Sequence, residues 1–257
     1  MKIGRFQWNG ETIYGVVQGD QVLSVIGNIF EDFEIGNPLC GVDEIQFLPP
    51  TEPRSIVAMG INSQRRVKQH YSGSDEIQYH GPVVFLKPCS SVIGHLDPIV
   101  KPAIAQNIGA AGELVVVIKK RAKLIDESES SNYILGYTCG NDLASGDLFV
   151  ADSQQTLRAH GFDTATSFGP FIETDVSPNQ LTINLSINGE IASAGSTSEM
   201  IYGVEMVVSY LSQFMTLIPG DLIFMGTPLG AGVQVGDLVE VEIEGIGILR
   251  NEVTAQA

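Results

Sequence analysis

Residues 108–120 read IGAAGELVVVIKK and carry the clearest strand signal of the chain. Five apolar residues follow Glu113, and an unbroken run of this kind is typical of a strand that is buried on both faces. The four residues at 109–112 are all Gly or Ala, so they leave open space around the Glu113 carboxylate. The stretch therefore predicts a buried strand with a single acid at its entrance.

Length, composition and charge restrict the class of protein. With 257 residues and 44% apolar content, the chain can form one large domain, or a large one and a small one. Its formal net charge is −16, from 30 acidic and 14 basic residues. We expect no nucleic-acid partner, because binding phosphates requires clustered Lys and Arg.

Apolar runs and cysteine spacing indicate whether the chain enters a membrane and which compartment suits it. No apolar run reaches the ~18–20 residues that a membrane span needs, and the first residues show no signal-peptide pattern. Three widely spaced cysteines without a CxxC pair are typical of reduced thiols rather than of disulfides or a zinc site. We therefore expect a soluble, cytoplasmic protein with no membrane partner.

The segment LPPTEP at 48–53 holds three prolines in six residues and resembles a linker. Before it, the pairs Asn9-Gly10, Gly19-Asp20 and Gly27-Asn28 separate short extended stretches, as tight turns do. We expect a small β-rich N-terminal domain at 1–50 and a main domain at 54–257.

The main domain is also rich in strand signals. Residues 181–187 alternate apolar and polar side chains up to Asn188-Gly189, which predicts a half-buried strand entering a hairpin, and 239–243 alternate in the same way. Apolar residues three and four apart predict a helix from about Ser198 to just before Pro219, and the polar stretch 63–72 predicts a surface helix. Because strands dominate and long crossovers are scarce, the expected class is β-rich α+β.

Polar residues in apolar or glycine-rich surroundings are the candidates for chemistry. They are Glu113, Asp142 after a strand-like stretch, His160, Lys87, and the glycine-rich turn that contains Gly226 and Thr227. Such a turn can hold an anion through its backbone N–H groups. Each candidate also has a structural explanation, because acids cap turns, histidines pack in cores and lysines extend along apolar surfaces. Spacing alone leaves both explanations open.

The order of several sequence blocks resembles the fumarylacetoacetate hydrolase family over residues 54–253. The blocks include GINSQRR (60–66), VVFLKPCSSVIG (83–94), GELVVVIKK (112–120), GYTCGNDLASGD (136–147), HGFDTATSFGPF (160–171), LSQFMTLIPGDLIFMGTPLG (211–230) and VGDLVEVEIEGIGIL (235–249). The resemblance implies the family's mixed β-roll with a small N-terminal domain ahead of it. It also implies a homodimer that acts on a small-molecule substrate.

The resemblance implies a metal site that this sequence keeps only in part. Family members bind Mg²⁺ or Mn²⁺ through a Glu-x-Glu pair and the aspartate of the Asn-Asp block, and the ion polarises a 2-oxo or 1,3-dicarbonyl substrate. Glu113 and Asp142 match two of these ligands, but Ala111 stands in place of the first glutamate. We expect either no metal or a weakly held Mg²⁺ or Mn²⁺. The alternative replacement ligands are His70, Glu76 and His80.

Other positions that the resemblance marks as functional are also changed. The histidine and glutamate that activate water correspond to Arg66 and Gln69, and neither side chain is a base at neutral pH. His160 stands where the family usually has a lysine. Gly146 replaces an arginine that can anchor an anionic substrate, which suggests a less anionic substrate here.

Three functional hypotheses follow. The first is acid–base chemistry on a dicarbonyl or enol substrate (tautomerisation, decarboxylation or cyclisation) with Glu113, Asp142 and His160 as catalytic groups. Crowding two carboxylates in a poorly solvated pocket should raise the pKa of one of them. The second hypothesis is a non-catalytic binding or partner protein, and the third is a metal-dependent C–C bond hydrolase with replaced ligands. The expected substrate-binding residues, with the lysine and the turn stabilising an enolate, are Arg66, Lys87, Gly226 and Thr227.

Overall fold

The structure is a computed structural model that describes residues 1–70, 81–228 and 230–256. Numbered in chain order, its strands are β1 (Lys2–Trp8), β2 (Glu11–Gln18), β3 (Gln21–Gly27), β4 (Phe33–Gly41), β5 (Gln46–Leu48), β6 (Ile56–Ile61), β7 (Val83–Lys87), β8 (Val92–Ile93), β9 (Ile99–Lys101), β10 (Ile108–Ile118), β11 (Ile134–Asp142), β12 (Thr166–Glu173), β13 (Thr182–Ile187), β14 (Glu190–Ser196), β15 (Leu222–Phe224), β16 (Gly230–Val233), β17 (Leu238–Ile243) and β18 (Gly247–Ala255). The α-helices are α1 (Gln64–His70), α2 (Gly146–Ala151), α3 (Thr156–His160) and α4 (Val204–Phe214). Short 3₁₀ turns lie at Val42–Glu44, Cys89–Ser91, Glu127–Tyr133 and Thr197–Glu199.

Strand β10 is the centre of the fold and contains the stretch IGAAGELVVVI. It lies between β11 and β15 in the larger sheet, whose path through the described residues runs β4-β3-β2-β1-β12-β11-β10-β15-β6-β7. Successive side chains of a strand point to opposite faces. Leu114 and Val116 enter one apolar core, whereas Val115 and Val117 enter another. Both faces are covered, which explains why the apolar run is unbroken.

The smaller sheet covers one face of β10 and has the order β14-β13-β17-β18-β9 in the described residues. Ile183 and Leu185 of β13 lie in the same core as Leu114 of β10. The predicted hairpin is present, since β13 pairs with β14 and the turn between them holds Asn188 and Gly189 at φ 54° and 83°. Positive φ angles at both turn residues match the right-handed twist of the strands.

The N-terminal strands belong to the larger sheet. β1 pairs with β2 and β5 but also with β12, where Lys2 lies opposite Glu173. Two of the predicted turns, at Asn9-Gly10 and after Gln18, connect β1 to β2 and β2 to β3. The proline-rich segment 48–53 begins at Leu48, the last residue of β5. The division into domains 1–50 and 54–257 stays a prediction, because the β1–β12 pairing joins both parts in one sheet.

The helix predicted from Ser198 begins later, at Val204. Ser196 and Glu199 form a capping box around the 3₁₀ turn at Thr197–Glu199, and the chain is then extended at Met200. Helix α4 buries Val204, Val207, Val208 and Leu211, as the apolar spacing predicted. The predicted helix at 63–72 is observed as α1, and residues 71 and 72 lie outside the described residues.

The β-rich α+β class is confirmed, because strands hold far more of the described residues than helices do. Cys40, Cys89 and Cys139 are free thiols. Among the described residues, no helix has both the length and the apolar content needed to cross a membrane.

Candidate active site

A cavity of about 390 Å³ opens where the first half of β10 leaves the sheet core. There β10 pairs with β16, with Gly109 opposite Gly232 and Ala111 opposite Gly230. The cavity is lined by these small residues and by three side chains that can do chemistry. Its volume suits a small molecule. The three side chains are Arg66, Asp142 and His160.

Asp142 ends β11 and its carboxylate is held from two sides. The Lys87 ammonium, at the end of β7, contacts Asp142 Oδ1 and also donates to the His160 carbonyl oxygen at 2.6 Å. His160 Nδ1 lies 3.0 Å from Asp142 Oδ2. Burial by itself would raise the pKa of Asp142, but the charges and hydrogen bonds of Lys87 and His160 outweigh it and lower the pKa below its ordinary value. Asp142 is therefore ionised at neutral pH.

His160 ends α3, and its ring is held between two aromatic side chains. The ring centroid lies 4.9 Å from that of Phe85 and 6.2 Å from that of Phe149, both edge-to-face. Because Nδ1 faces the Asp142 carboxylate, the neutral imidazole carries its proton on Nδ1 and leaves a lone pair on Nε2. Within residues 1–70, 81–228 and 230–256, His160 Nε2 has no hydrogen-bond partner. A nitrogen with a free lone pair can accept a proton.

Glu113 is buried and is not among the residues that line the cavity. Gly226 donates its backbone N–H to Glu113 Oε2 at 2.7 Å. Gly140 lies opposite Glu113 in the sheet, so the Glu113 side chain shares a face with Asp142 two residues further along β11. Burial, followed by the negative charge of Asp142, raises the pKa of Glu113 to about 8. Glu113 is thus a neutral acid at pH 7, and the two carboxyl groups differ in protonation as the sequence suggested.

Two glycines are required for this arrangement. Gly226 has φ +86°, and a Cβ on it would lie 2.9 Å from Asn62 Cβ. A Cβ on Gly140 would lie 2.3 Å from Val115 Cγ2. A larger residue at either position would force these neighbouring side chains to shift, and at Gly226 it would also adopt a backbone conformation that favours glycine.

Three of the four expected substrate-binding residues do not line the cavity. Lys87 has a fully buried side chain that is paired with Asp142. The Gly226 N–H is already bonded to Glu113, and Thr227 is buried with 2% of its surface exposed. The expected role of Lys87, Gly226 and Thr227 in stabilising an enolate stays a prediction.

Two buried asparagines shape the site and were not singled out from the sequence. Asn62 donates to the Tyr202 and Met225 carbonyl oxygens at 3.0 and 2.8 Å, and its Oδ1 accepts the Tyr202 N–H at 2.8 Å. These bonds fix the start of α1 and thereby the position of its arginines. Asn141 Oδ1 accepts the Ala111 N–H at 2.9 Å and holds the cavity end of β10. Both lie inside blocks that carry the family resemblance, which is the only sequence signal for them.

The described residues do not fit a bound Mg²⁺ or Mn²⁺. These ions need several free oxygen ligands, but Asp142 is engaged by Lys87 and His160, Glu113 Oε2 accepts the Gly226 N–H, and Ala111 offers no ligand. In the same residues no group of three or more His, Cys, Asp or Glu side chains is arranged to hold a metal. The alternative ligands Glu76 and His80, and the side chain of His70, lie outside the described residues. Weak metal binding therefore stays a prediction.

The chain belongs to the fumarylacetoacetate hydrolase family. The family model for the fumarylacetoacetate (FAA) hydrolase C-terminal region matches residues 55–254, and a model named Rv2993c-like, N-terminal, matches residues 1–50. This confirms the resemblance that the sequence blocks indicated.

Several relatives show the range of this family. A fumarylacetoacetate hydrolase domain-containing protein 2 homolog from Dictyostelium discoideum is 34% identical over 254 residues, covering 91% of this chain and 80% of the relative. A rat protein named oxaloacetate tautomerase Fahd2a, mitochondrial, is 31% identical over 228 residues, covering 84% and 72%. The crystal structure of a 5-carboxymethyl-2-hydroxymuconate delta-isomerase from Mycobacterium smegmatis is similar with a TM-score of 0.91 at 30% identity, covering both chains fully. These similarities support a general enzymatic function in this family.

Proposed function

We propose that this protein is an enzyme that interconverts the keto and enol forms of a small 2-oxo acid or 1,3-dicarbonyl compound. The observation that carries the proposal is the chain of contacts from Lys87 through Asp142 to His160 at the cavity. It leaves one imidazole nitrogen as a base beside a space of substrate size. Tautomerisation needs such a base and no activated water.

The proton transfer follows from this geometry. His160 Nε2 takes a proton from the carbon next to the substrate carbonyl, and the carbonyl oxygen becomes an enolate oxygen. The imidazolium then returns the proton to that oxygen, so that no atom is gained or lost. Asp142 stabilises the imidazolium through Nδ1–H, and Lys87 keeps Asp142 ionised.

The protonation of Glu113 supports the same reaction. If both carboxyl groups were charged, they would repel a developing enolate. With the pKa of Glu113 raised to about 8, only Asp142 is negative at neutral pH, and the buried Lys87 ammonium compensates it. The site can therefore accept negative charge on the substrate oxygen.

Hydrolysis has less support from the same residues. The position that the family resemblance assigns to a water-activating histidine is held by Arg66, which is always protonated. The relatives named a tautomerase and an isomerase agree with chemistry that shifts a proton without adding water. Decarboxylation, cyclisation, the homodimer and the cytoplasmic location stay predictions.

The test measures the equilibration of enolic oxaloacetate with its keto form, because the rat relative is named for that reaction. Absorbance of the enol is followed in the ultraviolet with and without the full-length protein. We expect His160→Gln to lower kcat by about 10²–10⁴-fold, the usual contribution of a general base. His95→Gln is the control, since His95 accepts the Arg250 N–H outside the cavity and glutamine also offers an acceptor.

Two further measurements separate the alternatives. A wild-type protein that does not accelerate equilibration, or a folded His160→Gln variant with the full rate, would contradict the proposal. Treatment with EDTA is expected to leave the rate unchanged, because both carboxyl groups are engaged by protein groups. Loss of activity with EDTA and its recovery with Mn²⁺ would favour the metal-dependent hypothesis instead.

A further inference from the structure

The sequence contains two Asn-Gly pairs, and both form the turn of a β-hairpin. Asn9 and Gly10 connect β1 to β2, and Asn188 and Gly189 connect β13 to β14. The φ angles are 50° and 82° in the first turn and 54° and 83° in the second. All four residues are exposed. Because the two turns share their backbone conformation and their access to water, a difference in chemistry between them must come from the surroundings of the asparagine side chains.

The two asparagine side chains differ in their hydrogen bonds. Asn188 donates from Nδ2 to Asp237 Oδ1 at 2.8 Å, and its Oδ1 accepts the Leu238 N–H at 2.9 Å. Both polar atoms of this amide are therefore held. In residues 1–70, 81–228 and 230–256, the Asn9 side chain makes no hydrogen bond, so its amide can rotate freely.

A freely rotating amide beside a glycine can react with the backbone of its own turn. The Gly10 backbone nitrogen attacks Asn9 Cγ and forms a new C–N bond with loss of its proton, while the bond from Cγ to Nδ2 breaks and that nitrogen leaves as ammonia. Water then opens the cyclic imide at either of its two carbonyl carbons and leaves an aspartate or an isoaspartate at position 9. Gly10 favours the attack because it has no Cβ, and a Cβ built there would meet no atom within 4 Å, so the nitrogen is unshielded.

We propose that Asn9 is a site of spontaneous deamidation in this protein and that Asn188 is protected from the same reaction. The Asn188 amide must leave two hydrogen bonds before the Gly189 nitrogen can reach its Cγ, and one of these bonds is to a carboxylate. The expected rate at Asn188 is therefore about 10- to 100-fold lower than at Asn9. This inference does not depend on the proposed function.

The modification changes the hairpin that carries it. Trp8 and Glu11 are paired across a two-residue loop, and the favoured turns of such loops have a fixed length. An isoaspartate continues the main chain through its side chain, which lengthens this loop by one carbon atom, and it adds a negative charge next to Glu11. We expect this end of the β1–β2 pairing to open. Trp8 is the single tryptophan of the chain, so its fluorescence reports the change.

The experiment follows both asparagines in the same molecules. The full chain is incubated at pH 8 and 37 °C and then digested with trypsin and a glutamate-specific protease, which release residues 6–11 and 174–190 as separate peptides. Mass spectrometry measures the replacement of NH₂ by OH, and fragment ions locate it within each peptide. An isoaspartyl methyltransferase with S-adenosylmethionine measures isoaspartate in the intact protein. A synthetic peptide with the sequence of residues 6–11 shows the rate without a folded hairpin.

Three variants separate the causes, and circular dichroism confirms that each is folded. Asn9→Gly removes the amide and keeps a residue that tolerates positive φ, so it should abolish most of the isoaspartate signal. Asp237→Ala removes one hydrogen bond of Asn188 and should raise the rate of deamidation there several-fold. Asp237→Asn keeps an acceptor oxygen and should raise that rate less.

In the wild type we expect deamidation at Asn9, accompanied by a change in Trp8 fluorescence, and little at Asn188. Equal rates at the two asparagines, or a faster reaction at Asn188, would overturn the proposal. So would an unmodified Asn9 after a time in which the synthetic peptide is fully converted. An unchanged rate at Asn188 in Asp237→Ala would overturn the assigned cause of its protection.

Discussion

Replacing Lys87 by methionine tests whether the buried ion pair organises the active site. Methionine keeps most of the volume of the lysine stem but removes the ammonium group. The Lys87 side chain is 0% exposed and that of Asp142 is 7% exposed, so water cannot take over the role of the lost cation. The variant also loses the hydrogen bond to the His160 carbonyl oxygen.

The size of the effect follows from this burial. Removing one partner of a buried ion pair costs about 3–5 kcal/mol, because the remaining charge stays buried without compensation. His160 still contacts Asp142 in the variant, which favours the lower end, about 3 kcal/mol. If Asp142 is replaced by Asn at the same time, no uncompensated charge remains. We expect the double variant to recover most of the free energy of unfolding.

The assay is urea unfolding monitored by circular dichroism at pH 7 and pH 5. In the wild type the pKa of Asp142 is below its ordinary value, so its stabilising contribution is present above the unfolded pKa of about 3.9 and is lost only at lower pH. In Lys87→Met, burial should instead raise the pKa of Asp142. Asp142 in the folded variant then takes up a proton as the pH falls. The difference in free energy of unfolding between wild type and Lys87→Met should therefore be smaller at pH 5 than at pH 7.

The exposed pair of Arg158 and Asp152 provides the control. Their side chains are 50% and 27% exposed, so Arg158→Met should leave the urea midpoint nearly unchanged. Additive losses in the Lys87–Asp142 double-mutant cycle would refute the reasoning, since they would mean that the two charges do not stabilise each other. If the difference in free energy of unfolding between wild type and Lys87→Met is the same at both pH values, the uncompensated charge of Asp142 is not its cause.

Two further predictions concern other buried carboxyl groups. Because the pKa of Glu113 is about 8 in the folded protein and about 4.3 in the unfolded chain, the folded state holds an extra proton between these values. Its stability should therefore fall as pH rises from 5 to 8, by on the order of 1 kcal/mol per pH unit from this group. Urea unfolding of Glu113→Gln should show a free energy of unfolding that depends less on pH than that of the wild type. The same pH dependence in both proteins would contradict this prediction. Asp221 accepts the N–H groups of Ser55 at 2.8 Å and Ile218 at 2.9 Å, so Asp221→Ala should lower the free energy of unfolding by about 3 kcal/mol. Asp221→Asn, which keeps one acceptor oxygen, should lose less, and an equal loss in both variants would show that these bonds are not the cause.

Local patterns predicted the main elements well. The run after Glu113 predicted β10, and the alternation before Asn188-Gly189 predicted β13 and its turn. The start of α4 was wrong, because Met200 fits the apolar spacing but follows the capping box that closes a separate 3₁₀ turn. Apolar periodicity indicates which side of a helix a residue lies on. It does not fix the first residue of the helix, which depends on the residues that cap the free backbone N–H groups of the first turn.

The sequence named candidate site residues but not their arrangement. Glu113, Asp142 and His160 were identified, and the family resemblance marked Ala111 as the missing metal ligand. Nothing in the sequence showed that Lys87 would be buried against Asp142 instead of facing the substrate. The two residues are 55 positions apart, and their contact exists only because β7 and β11 are brought together by packing.

The amino-acid sequence by itself therefore determined the strand-rich class, the central strand and the family, since these depend on side-chain periodicity and on ordered motifs. The tertiary structure alone decided the charge states and tasks of the polar groups. A carboxyl group becomes an acid or an anion according to its burial and its neighbours, and those neighbours come from distant parts of the chain. The contrast between Arg65, paired with Glu199, and Arg66, facing the cavity, shows this for two consecutive residues of the same type.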